Sequence, residues 1–217
     1  MRPYNRKILG STKPHPDCVD NYVGVEIEFR TSYPREVIGY ELSKYYFSDR
    51  VSIGTDGSII TNSQRPYGLE VRVCDTEKNI TNTIRNVLKV LKKFDCEVNH
   101  SCGLHVHLDM RHRSPAKAYS KLYNAYNDLK KKVAKYRIGN ENCRMNTYKE
   151  FSRERNELWG ADSFGIFNRL HRPSKYRYIN TLAYKQKKTL ECRLHEGTLN
   201  VRKINNWIKS LVKVINE

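Results

Sequence analysis

Apolar and polar residues alternate with a period of two in several stretches of the chain, and that period places side chains i and i+2 on one face of a strand. In Tyr22 to Phe29, Val23, Val25, Ile27 and Phe29 oppose Gly24, Glu26 and Glu28. In Gly68 to Cys74, Leu69, Val71 and Val73 oppose Glu70 and Arg72. In Gly103 to Asp109, Leu104, Val106 and Leu108 oppose His105, His107 and Asp109. In Lys188 to His195, Leu190, Cys192 and Leu194 oppose Glu191, Arg193 and His195, and Arg177 to Tyr184 is expected to pair with this segment as a hairpin across Lys185-Gln186-Lys187.

Between the strands the period lengthens to that of a helix. Helices are predicted from Pro34 to Phe47, from Thr76 to Phe94, from Ser114-Pro115 to Tyr136, and from Tyr148 to Trp159. A last helix, capped by Asn200, carries Ile204, Trp207, Ile208, Leu211 and Val212 on one side. Thr55-Asp56-Gly57-Ser58 is a turn signal leading into Ile59-Ile60-Thr61. Residues 1–20 read as an extended arm, residues 137–175 are polar with little periodicity, and 21–217 is expected to form a single α+β domain.

The polar faces of these strands carry unusual residues. A solvated sheet face normally shows Lys, Thr, Ser and Arg, whereas here Glu26, Glu28, Glu70, His105, His107, Asp109 and Glu191 point to the polar side. Neighbouring like charges repel unless a cation lies among them, and a divalent metal supplies one economically. Several carboxylates with an imidazole favour Mg²⁺ or Mn²⁺ over zinc, which more often recruits thiolates or several imidazoles.

Composition narrows the class. The 217 residues include 40 Lys+Arg against 23 Asp+Glu, a formal net charge of +17, which points to an anionic partner or substrate. Hydrophobic residues at 38% are enough for a core, and no apolar run approaches a membrane span. The opening MRPYNRKILG has no apolar core, so no secretory signal is expected. Six cysteines without a CxxC pair fit reduced thiols and a cytoplasmic setting.

The order Gly24-Val25-Glu26-Ile27-Glu28, Asp56-Gly57-Ser58, Gly68-Leu69-Glu70 and Cys102-Gly103-Leu104-His105-Val106-His107 resembles the glutamine synthetase superfold. Tyr176-Arg177-Tyr178-Ile179-Asn180, then Thr189 through Asn200 and Trp207, narrow the resemblance to the small stand-alone amidoligase branch of the carboxylate–amine ligases, which also includes gamma-glutamylcysteine synthetase-like folds. The resemblance implies a curved antiparallel sheet of five to six strands, helices on one face and the site on the concave polar face. It implies ATP-dependent joining of a carboxylate to an amine, with a peptide or protein among the candidate substrates, through an acyl phosphate. Carried over by motif, Glu26, Glu191 and His105 would hold one metal, and Glu28 and Glu70 a second. His107 and Arg193 would contact the transferred phosphoryl group, Arg177 would clamp phosphate or substrate, and Asp56 and Ser58 would lie at the nucleotide. After Glu70 the sequence reads Val-Arg-Val-Cys, where the family more often carries a proline.

Two other readings compete. His105-Val106-His107 also spells the metal-binding pair of single-stranded DNA nickases, in which Tyr119, Tyr123 or Tyr126 would be the nucleophile; that reading leaves the paired glutamates unused. A catalytically inactive ligase-like binding protein is the other. Residues 111–155 hold 13 Lys/Arg against four acids, interleaved with tyrosines, a composition suited to nucleic acid or an acidic peptide.

Overall fold

The computed structural model describes residues 21–164 and 176–217. The predicted arm at 1–20, with Cys18, and residues 165–175 of the polar stretch lie outside the described residues. The strands are β1 (Tyr22–Thr31), β2 (Val51–Thr55), β3 (Tyr67–Thr76), β4 (Gly103–Asp109), β5 (Ile179–Asn180) and β6 (Thr189–Glu196). They form an open antiparallel sheet in the order β2-β3-β1-β4-β6-β5. The helices are α1 (Arg35–Ser43), α2 (Ile80–Leu91), α3 (Pro115–Asn124), α4 (Tyr126–Leu129), α5 (Tyr148–Phe164), α6 (Leu182–Lys187) and α7 (Val201–Asn216). The protein is therefore mixed α+β. It divides into two compact units, Met1–Leu104 with Gly197–Asn205, and His105–Glu196 with Asn206–Glu217.

In the first unit β3 is the middle partner of β1 and β2. Val25 faces Val73 and Ile27 faces Val71 across one ladder, and Val51 and Ile53 face the same two valines across the other. The apolar stripe of α2, Ile80, Ile84, Val87 and Leu91, is fully buried, as the helical period requires. Asp75 at the end of β3 is buried and satisfied, accepting from Thr83 Oγ1 at 2.6 Å and Arg50 Nη1 at 3.0 Å. Gly197 packs where only a glycine fits. Its N–H donates to the Cys102 carbonyl at 2.9 Å, and a Cβ there would lie 2.5 Å from Cys102 Cβ and 3.1 Å from its carbonyl carbon. Gly197→Ala is expected to destabilise by about 1–3 kcal/mol, the usual range for overpacking. A urea unfolding midpoint equal to wild type would show that the backbone yields without cost.

In the second unit β5 pairs with β6 at Ile179↔Cys192 and Asn180↔Glu191. Tyr178, wholly buried, donates from its hydroxyl to the Leu122 carbonyl at the end of α3, 3.2 Å away. Arg137 is buried as well, and its guanidinium donates to the Arg193 and Leu194 carbonyls at 2.9 and 3.5 Å. This cation of the basic stretch is thus structural. Asn200 caps α7 as expected, its side-chain oxygen accepting from the Arg202 and Lys203 N–H groups.

Several boundaries differ from the sequence pattern, and β2 was not predicted. The helix begun at Pro34 stops at Ser43, after which Tyr45 and Phe47 stack at 5.3 Å to close the turn before β2. The helix begun at Pro115 breaks after Asn124, because Tyr126 turns inward to meet Tyr178 at 5.3 Å. The expected hairpin is a correction: only Ile179–Asn180 is strand, and Leu182–Lys187 coils into α6. Leu, Ala, Lys and Gln are strong helix formers. Burial of Ala183 and Tyr184 rewards a helical turn, and Lys188 at φ 56° ends it in the left-handed region before β6 begins.

Candidate functional site

The polar faces are not bathed in solvent. Glu28 is 3% exposed, Glu70 5%, His105 3% and Glu191 4%. Acids at that depth are costly unless paired, hydrogen-bonded or coordinated. The alternation in the sequence therefore marks two buried polar groups, one in each unit.

In the first unit the ladder register sets Glu28 directly opposite Glu70, and Glu26 opposite Arg72. Directly opposed like charges destabilise an antiparallel pair. Asp56 joins them, so that oxygens of Glu28, Asp56 and Glu70 lie within 4.8 Å of one another. Glu28 is fixed by the Gly103 N–H, which donates to Oε2 at 2.6 Å. Asp56 is fixed by Ser58, whose N–H and hydroxyl both donate to Oδ1, at 2.8 and 2.7 Å. Arg72 pairs with Glu70 and lies 4.0 Å from Glu26.

Two glycines leave room around this cluster, one for the Arg72 guanidinium and one for the Asp56 turn. A Cβ at Gly54, opposite Glu70 on β2, would lie 3.1 Å from Arg72 Nη1, so the missing side chain is the space that guanidinium occupies. A Cβ at Gly68 would lie 2.8 Å from the Asp56 carbonyl oxygen, and the Asp56 N–H donates to the Gly68 carbonyl at 3.0 Å. Gly68 thus lets the Asp-Gly-Ser turn fold down onto β3, bringing Asp56 to the two glutamates. The donor set, three carboxylates with one guanidinium beside them, matches a hard divalent cation with oxygen ligands.

In the second unit Glu191 is the centre. Its Oε2 accepts from Asn180 Nδ2 at 2.6 Å, its Oε1 accepts from Arg193 Nη1 at 2.6 Å, and His105 Nδ1 stands 3.5 Å from the same oxygen. His107 Nδ1 lies 3.0 Å from Thr189 Oγ1. Arg177 is 5% exposed and forms a two-point ion pair with Glu150, its Nε donating at 3.1 Å. Of the residues singled out by sequence, the first unit gathers Glu28, Asp56 and Glu70, with Ser58 orienting Asp56. The second gathers His105, Glu191 and Arg193, and holds Arg177 against α5.

Three partners were given no site role from the sequence, although Asn180 and Thr189 lie in the motifs that carry the resemblance. Asn180, Thr189 and Glu150 each hold a candidate site residue, and only register or tertiary contact reveals them. Glu154 was missed too, although its spacing from Phe151 and Leu158 puts it on the buried stripe of α5. It accepts from the Tyr119 hydroxyl at 2.9 Å, from Thr181 Oγ1 at 3.2 Å and from Asn146 Nδ2 at 3.3 Å, and burial raises its pKa to about 7. Burial, with the Glu154 carboxylate beside it, pushes the Tyr119 phenol far up, which disqualifies it as a ready nucleophile. Burial likewise pushes the Cys102 thiol to about 11 and the Cys192 thiol higher, so neither offers a thiolate near neutral pH.

No family model and no curated protein matches the chain. Among solved structures it is similar to a cryo-electron microscopy structure of Plasmodium falciparum glutamine synthetase, with a TM-score of 0.52 at 9% identity. The fold is glutamine synthetase-like. The alignment covers 91% of this chain and 52% of the synthetase, so the chain spans about half the length of that protein. At this identity the likeness concerns the fold alone. Among the described residues, no helix is long and apolar enough to cross a membrane.

Proposed function

We propose that this chain is an ATP-dependent carboxylate–amine ligase that forms an amide through an acyl phosphate. The observation that carries the reading is the set of three carboxylates, buried Glu28 and Glu70 with half-buried Asp56, gathered within 4.8 Å on a glutamine synthetase-like fold. In this proposal Glu28 and Glu70, with Asp56 added, hold one divalent cation, Mg²⁺ or Mn²⁺, and His105 and Glu191 hold another. Bound there, the cations would neutralise the clustered acids and the charge on the nucleotide's phosphate oxygens.

The chain's own residues do the rest by position. Arg193, oriented by Glu191, and His107, oriented by Thr189, would face the phosphoryl group in transfer. A substrate carboxylate oxygen attacks the γ-phosphorus and ADP leaves. An amine then attacks the acyl carbon, phosphate leaves, and the amine nitrogen loses a proton to give the amide. Such transfer depends mainly on alignment and charge neutralisation, which buried, pre-oriented groups provide. Arg177 enters the proposal as a substrate-side cation whose direction is set by Glu150. The carboxylate and the amine would each belong to a free amino acid, a peptide, a protein side chain or a nucleic-acid-linked group.

The test is ligand-dependent stability. Mg²⁺ with ATP at a hundredfold excess over the dissociation constant should stabilise the chain by about 2.7 kcal/mol, several degrees in Tm. Glu191→Ala should abolish the shift. ATP without effect on wild type, in Mg²⁺ and in Mn²⁺, would sink the reading.

A further inference from the structure

The basic surplus is organised on the second unit in a way the ligase site does not use. Helices α3 and α5 line a groove of 570 Å³ with Ala116, Lys117, Ser120, Lys121, Arg155 and Trp159, the Lys121 ammonium also donating to the Ile215 carbonyl at 3.2 Å. Lys117 and Lys121 are one helical turn apart and therefore on one side of α3. On α5, Tyr148, Arg155 and Trp159 recur at spacings of seven and four, a single stripe of the helix. Tyr148 is 74% exposed and Trp159 57%. Phe151 lies between them in sequence, stacked on Tyr123 at 3.9 Å, with the Arg155 guanidinium 5.8 Å above its ring. At the start of α3 a second recess, of 470 Å³, is lined by Arg111, His112, Arg113 and Lys188.

We infer that this groove binds single-stranded nucleic acid. Cations in a row match a phosphate backbone, and an exposed indole and phenol on the same stripe offer flat surfaces on which bases stack without regard to sequence. An acidic peptide would use the cations and leave the aromatic stripe without a function. The groove shares no residue with the carboxylate clusters, so this inference stands or falls separately from the ligase reading.

The experiment is fluorescence anisotropy of a labelled oligothymidylate titrated with the full chain over a salt series. Wild type should bind with an affinity that falls steeply with salt. Trp159→Ala should weaken binding about tenfold without changing the salt slope, since it removes stacking and no charge. The triple variant Lys117→Gln, Lys121→Gln, Arg155→Gln should flatten the slope by about 2, at roughly 0.7 per phosphate contact on a single strand. All these positions lie on a surface groove, and a matched Tm for each variant is the folding control. The inference is overturned if wild type does not bind at low salt. It is also overturned if both variants bind like wild type, or if an oligoglutamate competes as well as unlabelled oligothymidylate.

Discussion

Glu28→Gln should make the chain more stable in EDTA and abolish its response to Mg²⁺. Two opposite effects come from one substitution because Glu28 sits directly across the ladder from Glu70, with Asp56 as the third oxygen donor within 4.8 Å. Without a divalent ion, three carboxylates share the single Arg72 guanidinium, and the remaining repulsion costs of order 0.2–1 kcal/mol for a directly opposed pair and more when buried. Glutamine has nearly the same shape, and its carbonyl can still accept from the Gly103 N–H, so the ladder should keep its geometry. It lacks the charge that a hard divalent ion needs. In saturating Mg²⁺ the wild type should therefore gain stability that the variant does not, and the metal-dependent ADP formation that the proposed ligase reaction requires should fall by at least about a hundredfold. Urea unfolding with and without Mg²⁺ separates the two effects. An EDTA-treated variant no more stable than wild type, with an intact Mg²⁺ response, would show that the cluster is merely structural.

The second large effect concerns Glu154. Burial holds its pKa near 7, above the ordinary glutamate value of about 4.5. The folded state thus prefers the protonated carboxyl. The stability this contributes is fully present below about pH 4.5 and is lost as pH rises through about 7. The difference of roughly two and a half units corresponds to about 3 kcal/mol. Glu154→Gln keeps an oxygen for the Tyr119 hydroxyl and removes the titration. Relative to wild type, the variant should therefore gain about 3 kcal/mol between about pH 5 and about pH 8. Parallel stability curves for the two proteins over that range would refute the assignment. Because Thr181 also donates to Glu154 and immediately precedes α6, the variant's altered pH response should appear in amide exchange around Leu182–Lys187 as well.

These expectations rest on residues that differ in how legible they were. Glu26, Glu28, Glu70, His105 and Glu191 stood out because a period of two is local, and the wrong residue types appeared on the polar phase of each strand. β4 was read with its observed limits, Gly103 to Asp109, since its alternation is unbroken. The α2 stripe was equally plain, and so was the Asn200 cap. β2 was not predicted, because Val51–Thr55 is short, ends in Gly-Thr and follows a turn of aromatics with no clear phase. The first arm of the expected hairpin, 177–184, was misread for the opposite reason: it has strand-like composition at its start and helix formers at its end. Burial of Tyr184 settled which prevailed.

What the sequence determined by itself was the α+β class, the principal strands, and which acids and histidines share their polar faces. All of these follow from backbone periods and turn chemistry that act over a few residues. The tertiary structure decided the rest. Glu28 meets Glu70 only through the β1–β3 register. Asp56 joins them only because Gly68 lets a turn lie on the strand, and Arg177 is held by Glu150 from a helix 27 residues away. Such contacts depend on which segments pack together, and the energy that selects them is spread over the whole core. No local pattern of residues encodes it.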